Sequence, residues 1–427
     1  MLFEKLCSIT YLKYGFKAVK MNKGAPGIDG VSILEFENRL DDELFQLKAE
    51  LGNWNYKPKP VKRVEIPKPG KNSGIRKLGI PCVRDRVVQA TLKNLLEPIL
   101  DPTFSDNSYG FRPSCNQQQA VESAKRIVNK GKEYVVDIDL SKFFDRVHQD
   151  RLIHRLSKHI PDKRILRIIG NILRSGAMKD GVVSPSPEGT VQGSPLSPLL
   201  SNVVLDELDK ELEKRGLEFC RFADDANIFV KSQKSADRVM GSISRFIECK
   251  MKLVINREKS KVALSKYVKF LGMTIIAGTI AISSKSINRA MAKVRELTPR
   301  GTHLTIEKSV KQINRWYVGW SSYYKMTQYP SQLHKIEARI RRRLRCRLIS
   351  QQKSRRNLFN KLVKRKISRN AAAKVAFSNL GKWAQSGTFT CGMGFHPNWF
   401  INILGQKIRS KDNLPHWFSL EEWIKIS

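Results

Sequence analysis

The sequence lacks the long apolar segments that membrane proteins require. It contains no stretch of about 18 uncharged apolar residues, and a helix needs about 20 to cross a bilayer. The N-terminal segment, MLFEKLCSITYLKYGF, has neither a long apolar run nor a small-residue cleavage site, so we expect no signal peptide. These absences predict a protein that does not associate with a membrane.

Cysteine pairs, internal repeats and low-complexity tracts are also missing. The seven cysteines are scattered without a CxxC pair: Cys7, Cys82, Cys115, Cys220, Cys249, Cys346 and Cys391. Their spacing argues against a zinc ribbon or zinc finger and against a disulfide framework. It is typical of a protein of the reducing cytosol and therefore predicts a cytoplasmic location.

Acidic residues are scarce relative to basic ones. Lys and Arg number 78, Asp and Glu number 39, and the formal net charge is +39. Such an excess repels itself unless a polyanion covers it, and nucleic acid is the expected polyanion. An anionic membrane surface is the weaker alternative, because no basic amphipathic anchor stands out. The excess is greatest from Lys285 to Lys374, where 25 Lys or Arg accompany three acids, Glu296, Glu307 and Glu337.

Length and hydrophobic periodicity indicate a mixed fold. A chain of 427 residues, 41% of them hydrophobic, suggests roughly two to four domains built around packed cores. VKRVEIP (61–67) alternates as a strand does, and IRKLGIP follows a Pro/Gly-rich turn, which predicts a hairpin. YVVDIDL (134–140) reads as a buried strand and LEFCRFADDANIFVK as a second hairpin. VKFLGMTI with AGTIAIS predicts another strand pair, and residues from about 287 to 375 are helical and basic.

Three aspartates stand at positions where an acid is costly. Asp139 ends the buried strand, and Asp224 and Asp225 lie together at the tip of the second hairpin. A carboxylate in an apolar strand is unfavourable unless it is paired or binds a metal, and adjacent carboxylates repel unless a cation relieves them. Phosphoryl transfer to a 3′-hydroxyl uses two divalent ions held by such carboxylates. A solvated turn is the usual explanation of an isolated Asp-Asp pair, but the apolar flanks disfavour it here.

Three motifs carry a specific resemblance: DLSKFFD (139–145), EGTVQGSPLSPLLSN (188–202) and RFADD (221–225). They resemble the successive palm motifs of bacterial group II intron reverse transcriptases. The resemblance implies that Asp139, Asp224 and Asp225 are catalytic and bind two Mg²⁺ ions. The backbone carbonyl of Leu140 would complete a metal shell.

Other positions in these motifs qualify the resemblance. Asp137 competes with Asp139 as the first ligand, but the spacing of Asp139 to FFD fits the family pattern. A structural hydrogen-bonding role is implied for Asp145 within FFD. Phe222 stands where Tyr is more usual, and Val191 stands where Pro is more usual. Neither change removes a metal ligand, so we expect an active enzyme.

The resemblance also implies contacts with the incoming nucleotide. Lys68 and Arg76 lie on opposite arms of the first hairpin, where the family holds the triphosphate. Arg grips two phosphate oxygens at once and Lys acts as a point charge, although a solvated basic turn is the alternative. Phe143 matches the ring that selects deoxynucleotides by blocking a 2′-hydroxyl, with Phe144 or plain core packing as alternatives. Gln192 is expected to hydrogen-bond near the nucleotide.

Contacts with nucleic acid are expected from several basic positions. Arg63 on the first hairpin is expected to touch the template, and Arg112 in SYGFRPS either contacts template phosphate or braces the fold. INRWYVGWSSYYK resembles the thumb, or maturase domain, of the family, although a stripe of core residues is the favoured explanation of its aromatic spacing. The next segment, ARIRRRLRCRLISQQKSRR, predicts an Arg-dense helix that binds phosphate rather than a solvated face: Arg339, Arg341, Arg342, Arg343 and Arg345.

The implied fold is α+β: a right-hand polymerase with fingers and palm, followed by an α-helical thumb/maturase domain. NKGAPGIDG resembles the N-terminal extension motif of the family. Only Cys391 follows the thumb, so we expect no zinc-stapled HNH endonuclease, as in the class IIC branch. The expected domains are an N-terminal extension (1–40), fingers and palm (41–285), the thumb (286–380) and a small DNA-binding region (381–427).

The implied function is that of an RNA-directed DNA polymerase and maturase. It would bind group II intron RNA, assist its splicing and copy it by target-primed synthesis during retrohoming. Expected partners are intron RNA, an RNA template, a DNA primer or target, and deoxynucleotide triphosphates, in the cytoplasm of a bacterium and at the nucleoid during insertion. One alternative is a splicing factor with a vestigial polymerase, which the intact aspartates disfavour. The other is a domesticated relative in defence or repair, which the Phe222 and Val191 changes leave open.

Overall fold

The computed structural model describes residues 2–67, 75–179, 182–184 and 189–396. The chain forms two compact units, one spanning Met1–Phe270 and the other beginning at Leu271. Lys68 and the stretch 397–427 of the predicted C-terminal region lie outside the described residues. The predicted domain boundaries at 40, 285 and 380 stay predictions. Within the described ranges, no helix has the length and apolar character needed to cross a membrane.

The first unit combines helices with two four-stranded sheets. Its helices are α1 (Leu2–Leu6), α2 (Ile9–Met21), α3 (Ile33–Asn38), α4 (Leu40–Gly52), α5 (Val83–Leu100), α6 (Gln117–Asn129), α7 (Gln149–Ser157), α8 (Lys163–Arg174), α9 (Ser197–Lys214) and α10 (Gln233–Arg245). Its strands are β1 (Val61–Pro67), β2 (Ile75–Ile80), β3 (Tyr134–Ile138), β4 (Ala177–Lys179), β5 (Val182–Ser184), β6 (Glu218–Phe222), β7 (Asp225–Val230) and β8 (Lys261–Leu264). Both hairpins predicted from strand periodicity, β1–β2 and β6–β7, are confirmed.

The sheet that carries the candidate carboxylates has the strand order β6-β7-β3-β8, and its neighbouring strands are antiparallel. Side chains alternate between the two faces of a strand, so one face can be apolar throughout. Val136 and Ile138 of β3, with Ile228 and Val230 of β7, are buried in the main core, and α10 packs on these strands. The opposite face carries the buried pair Val135 and Phe229, and it also carries Asp137, which pairs with Asn227.

The other sheet has the order β2-β1-β4-β5. β1 and β2 pair from Lys62 with Ile80 to Pro67 with Ile75, and β4 joins β1 in parallel. At the base of the hairpin, Val61 is buried, while Ile66 and Ile75 near the far end are exposed. A two-stranded ribbon that leaves the core in this way can present its far-end side chains to a ligand.

The second unit is mainly helical. Its elements are β9 (Met273–Ile276), β10 (Thr279–Ile282), α11 (Ser284–Leu297), α12 (Ile306–Tyr324), α13 (Pro330–Ser350), α14 (Arg355–Lys364), α15 (Arg369–Ala376), α16 (Lys382–Gln385) and α17 (Phe389–Gly394). Ile336, Ile340 and Leu344 recur every four residues along α13 and form the buried centre of this unit. Trp316 and Trp320 of α12 pack against that centre, which confirms the core-stripe interpretation. The predicted α+β fold with a following helical domain is confirmed.

Candidate active site

The candidate carboxylates lie at one end of the β3–β7 strand pair. Ile138 pairs with Ala226, and the antiparallel register then brings Asp139 and Asp225 to the same end of the two strands. Phe222 pairs with Asp225, so Ala223 and Asp224 form a two-residue turn between β6 and β7. The fold therefore brings together three acids that are separated by up to 86 positions in the sequence.

The three carboxylates repel one another. Burial, the main cause, and the charge of Asp139 raise the pKa of Asp224 above the usual range of an aspartate. Burial followed by the charges of Asp224 and Asp139 raises the pKa of Asp225 to about 6. Asp225 is exposed, yet the surrounding protein displaces enough water to disfavour its charged form. A cation placed among these groups would relieve the repulsion.

The backbone around Asp139 is fixed by a neighbouring loop. The Asp139 N–H donates to Ser260 Oγ at 3.0 Å, and its carbonyl accepts from the Asn256 N–H at 2.9 Å. Leu140 forms an isolated antiparallel bridge with Ile255. Lys259, on the same loop, places its ammonium nitrogen 3.5 Å from Oδ2 of Asp139. The candidate ligand is thus held by backbone hydrogen bonds and faces the positive charge of Lys259.

Asp137, the sequence competitor of Asp139, lies two residues earlier on β3. It pairs with Asn227 of β7 and with Lys261 of β8. Burial and then the charge of Asp225 raise its pKa to about 6, while Lys261 opposes that shift. Asp137 therefore belongs to the same electrostatic cluster, and the choice of Asp139 as the ligand stays a prediction.

The chemistry of this donor set suits a hard divalent cation. Carboxylate and backbone carbonyl oxygens are the ligands that Mg²⁺ prefers, and Asp139, Asp224, Asp225 and Leu140 supply both kinds. Within the described ranges, however, no group of three or more His, Cys, Asp or Glu side chains is arranged closely enough to hold a metal. The side chains fit the ion by type and charge, and their convergence on it stays a prediction.

The β1–β2 hairpin carries Arg76, a predicted phosphate ligand that interacts with the carboxylates. Arg76 is exposed on β2, and its charge lowers the pKa of Asp224 against the effect of burial. Arg63 is half-buried on β1 and pairs with Gly79 of β2. Arg76 is thus linked electrostatically to Asp224. The roles of Lys68 and Arg63 stay predictions.

The loop of Gln192 is joined to the same hairpin by close backbone contact. The Gly79 N–H donates to the Gln192 carbonyl at 2.8 Å. Gly193 has a φ of 115°, and a Cβ there would lie 2.7 Å from the Gly79 carbonyl oxygen. Val191, which replaces the more usual proline, faces Gly79, where an added Cβ would lie 2.5 Å from its Cγ1. The loop therefore packs tightly against the β1–β2 hairpin. The Gln192 side chain is half-buried there.

The two phenylalanines that follow β3, Phe143 and Phe144, differ in burial. Phe143 is 3% exposed and belongs to the main core, whereas Phe144 is half-buried at its edge. Their ring centroids lie 5.3 Å apart in an edge-on arrangement. Core packing, one of the alternatives left open by the sequence, accounts for the Phe143 environment. Phe144 is the more open of the two rings, and the contact of either ring with a nucleotide sugar stays a prediction.

Arg112 braces the loop in which it lies. Its guanidinium donates to the Asp101 carboxylate at 2.7 Å and to the backbone carbonyls of Asp101, Ser105 and Ser108. The side chain is 10% exposed. These contacts agree with the bracing alternative, since the donors that would meet a phosphate are used within the protein.

The arginines of α13 are also engaged inside their own unit. Arg339 and Arg342 lie over the Trp383 ring at 4.6 and 4.2 Å, and Arg342 also donates to the Trp383 carbonyl at 3.2 Å. Arg343 donates to the Thr298 carbonyl at 2.8 Å. Burial lowers the pKa of Arg345, and Arg341 is half-buried on the same helix. These contacts stabilise the unit and leave the predicted phosphate binding by α13 a prediction.

Family models match both units. Residues 66–275 match "Reverse transcriptase (RNA-dependent DNA polymerase)", and residues 287–366 match "Group II intron, maturase-specific domain". Protein YkfC of Escherichia coli is 32% identical over 281 residues, which cover 56% of this chain and 73% of that protein.

The chain belongs to the reverse transcriptase family.

The reverse transcriptase is also similar to the group II intron-encoded protein LtrA of Lactococcus lactis, with 33% identity over 201 residues. That match covers 47% of this chain, and the chain spans only about a third of LtrA. The expected enzyme class, RNA-directed DNA polymerase, and the resemblance to group II intron proteins are confirmed. Enzymes of this family use divalent metal ions and bind RNA templates.

Two functional candidates in the reverse transcriptase were missed by the sequence reasoning. Lys259 faces Asp139 from a loop 120 positions later, and no local motif marks it. Arg221, inside RFADD, is fully buried beneath the Ala223–Asp224 turn. An arginine within an apolar strand was itself a usable signal, because a buried charge requires a partner.

Proposed function

We propose that this reverse transcriptase adds deoxynucleotides to a primer 3′-hydroxyl on an RNA template, and that it is the maturase of a group II intron. The observation that carries the polymerase proposal is the electrostatic coupling of Asp139, Asp224 and Asp225 at one end of the β3–β7 pair. Such coupling is expected where acids are held together for a cation rather than for stability.

Two Mg²⁺ ions would be held by Asp139, Asp224, Asp225 and the Leu140 carbonyl. When bound, they lower the pKa of the primer hydroxyl and neutralise the triphosphate and the leaving pyrophosphate. The strand ends keep the carboxylates on rigid backbone, and Arg76 approaches from the hairpin as a triphosphate ligand. Lys68 would be the second triphosphate ligand, and Gln192 would contact the nucleotide from the loop that packs against β2.

The proposed maturase role needs a surface that binds structured RNA. From Ala338 to His396 the sequence contains no acidic residue. While α13 uses its arginines internally, α14, α15 and their flanks expose cations that we name the α14–α15 basic surface: Lys353, Arg355, Arg356, Lys364, Lys366, Arg369 and Lys374. Structured RNA is read largely through its backbone, so a surface of one charge suits it. We propose that this surface contacts intron RNA.

Primer extension tests the polymerase proposal. Purified protein is supplied with an RNA template, a DNA primer, deoxynucleotides and Mg²⁺. Asp224→Asn/Asp225→Asn serves as a control that preserves side-chain size and removes charge. Extension by the wild type that is lost in the control supports the proposal. If neither protein extends the primer but both bind intron RNA tightly, the splicing-factor alternative is correct.

The maturase proposal is tested with intron RNA itself. The protein should accelerate splicing of a group II intron transcript at low Mg²⁺, and Asp224→Asn/Asp225→Asn should do so equally well. The two carboxylates serve polymerisation, whereas the RNA performs the splicing chemistry. Extension activity without splicing assistance from any tested intron would favour the domesticated alternative.

A further inference from the structure

A buried ion pair lies beneath the turn that carries Asp224. The side chains of Arg221 on β6 and Asp209 on α9 are both 0% exposed. Arg221 Nε donates to Asp209 Oδ1 at 2.7 Å, and its Nη2 donates to Oδ2 at 2.6 Å. The contact is therefore bidentate and fixes the guanidinium plane.

The remaining guanidinium nitrogen is directed at the turn. Arg221 Nη1 donates to the Ala223 carbonyl at 2.9 Å and to Asn202 Oδ1 at 3.1 Å. Ala223 has a φ of 57°, a left-handed conformation that a residue with a Cβ adopts only at a cost. The hydrogen bond to its carbonyl stabilises this conformation and fixes the peptide that joins Ala223 to Asp224.

The turn also packs against the loop that contains Gly110. Asn202 Nδ2 donates to the Gly110 carbonyl at 2.9 Å, and a Cβ on Gly110 would lie 2.2 Å from the Ala223 nitrogen. The loop of Gly110 runs along β6, because Arg221 N–H donates to the Asn107 carbonyl and the Arg221 carbonyl accepts from Tyr109 N–H. The Phe222–Ala223 peptide is thus packed against Gly110, and the carbonyl of the next peptide, Ala223–Asp224, accepts a hydrogen bond from Arg221.

Stability alone does not account for this arrangement. The desolvation of a buried ion pair can exceed its attraction, and apolar residues of similar volume commonly serve a core equally well. An apolar pair would lack the directed donor that reaches the Ala223 carbonyl. The ion pair orients that donor, and the donor orients the turn.

We propose that Arg221, held by Asp209 and Asn202, is a positioning residue that sets the Ala223–Asp224 peptide and thereby the Asp224 carboxylate. This inference rests on the proposed polymerase function and deepens it. Arg221 is fully buried and acts through the turn, without contact with substrate. The EGTVQGSPLSPLLSN, SYGFRPS and RFADD motifs meet at this one group, through Asn202, Gly110 and Arg221 respectively.

The test replaces the ion pair by apolar residues of similar size, Asp209→Leu/Arg221→Met. The unfolding temperature should fall only moderately, because no unpaired charge is buried, although Asn202 Oδ1 and the Ala223 carbonyl lose a donor. We expect kcat for primer extension to fall about 100-fold, because a displacement of about 1 Å at a reacting group has that effect. KM for the deoxynucleotide should change little, since the predicted triphosphate ligands are untouched. Hydrogen exchange should quicken in peptides that contain residues 222–226 and remain unchanged elsewhere.

A matched control separates positioning from general destabilisation. Tyr56→Phe removes a buried 2.8 Å hydrogen bond to Asp85 on other elements of the same unit. It should lower the unfolding temperature and leave kcat and exchange of residues 222–226 unchanged. If Tyr56→Phe lost as much kcat as the double variant for the same loss of stability, the proposal would be overturned. Wild-type kcat and wild-type exchange of residues 222–226 in the double variant would also overturn it.

Arg221→Lys keeps the test decisive if the double variant does not fold. Lysine retains a charge for Asp209 but has one nitrogen, which cannot hold the carboxylate and the Ala223 carbonyl in the same geometry. We expect reduced kcat and faster turn exchange, and wild-type values for both would overturn the proposal. If the wild type does not extend a primer, the polymerase proposal fails, and the exchange comparison still decides whether Arg221 fixes the turn.

Discussion

Lys259 places its ammonium nitrogen 3.5 Å from Oδ2 of Asp139, and its charge also lowers the pKa of Asp224 and of Asp225. One lysine therefore opposes the mutual repulsion of all three candidate ligands. It occupies the electrostatic role that divalent ions would share, so its removal should be visible both in proton binding and in metal binding.

We expect Lys259→Gln to move the acidic limb of the activity–pH profile to higher pH. Without the lysine, the pKa values of Asp224 and Asp225 rise, and protons compete with metal over a wider range. Well above that range, the more negative site should reach half-maximal rate at a lower Mg²⁺ concentration. Primer extension across pH 5 to 9 at several Mg²⁺ concentrations checks both effects. Lys250→Gln, which removes an exposed lysine on the π-helix Phe246–Met251, should leave both unchanged.

The raised pKa of Asp225 makes a prediction about stability without metal. The folded pKa of about 6 exceeds the ordinary value of 3.8, so the folded state binds the proton more tightly than the unfolded state. The associated stabilisation is fully present below about pH 4 and is lost as the pH rises through about 6. Asp225→Asn should therefore raise the unfolding temperature at pH 8 in EDTA and have little effect at pH 4. An Asp237→Asn control, on exposed α10 surface, should not reproduce this pH dependence.

The difference in burial between Phe143 and Phe144 predicts that alanine substitutions of the two rings have different effects. Phe144→Ala should raise the kcat/KM for ribonucleotides relative to deoxynucleotides, because the more open ring is removed. Phe143→Ala should instead lower the free energy of unfolding by about 3–5 kcal/mol, as core truncations do, with sugar selectivity retained. Steady-state kinetics with both sugar types and urea unfolding separate these outcomes. Loss of selectivity in Phe143→Ala alone would assign the role to Phe143, as the motif likeness implied.

The second unit offers a comparison between exposed and internal cations. Arg356→Gln/Lys364→Gln/Arg369→Gln should weaken intron RNA binding and reduce the slope of log K against log salt by about 2, with an unchanged unfolding temperature. Arg342→Gln, which loses its contacts with Trp383, should cost about 1–3 kcal/mol of stability and leave the salt slope as it is. The reverse pattern would place the RNA contact on α13.

Several features of the fold and of the candidate site were predictable from local sequence. Alternation with a period of two predicted β1–β2 and β6–β7, and the Asp-Asp pair between two apolar runs predicted the turn that carries Asp224. The acid-poor stretch after Lys285 predicted a basic helical unit. These inferences succeeded because side-chain periodicity, turn formation and net charge depend on neighbours in the chain.

Only the tertiary structure determined which side chains contact one another across these elements. Arg342 and Arg356 look alike in sequence, but Trp383 covers the first, while the second remains exposed. Lys259 reaches Asp139, and Asp209 reaches Arg221, only because β3, α9 and β6 pack in one unit. The sequence determined which acids are candidate metal ligands and that this protein carries a large excess of cations. Packing determined which cations are free to bind and which hold the site in place, because burial and pairing depend on residues distant in the chain.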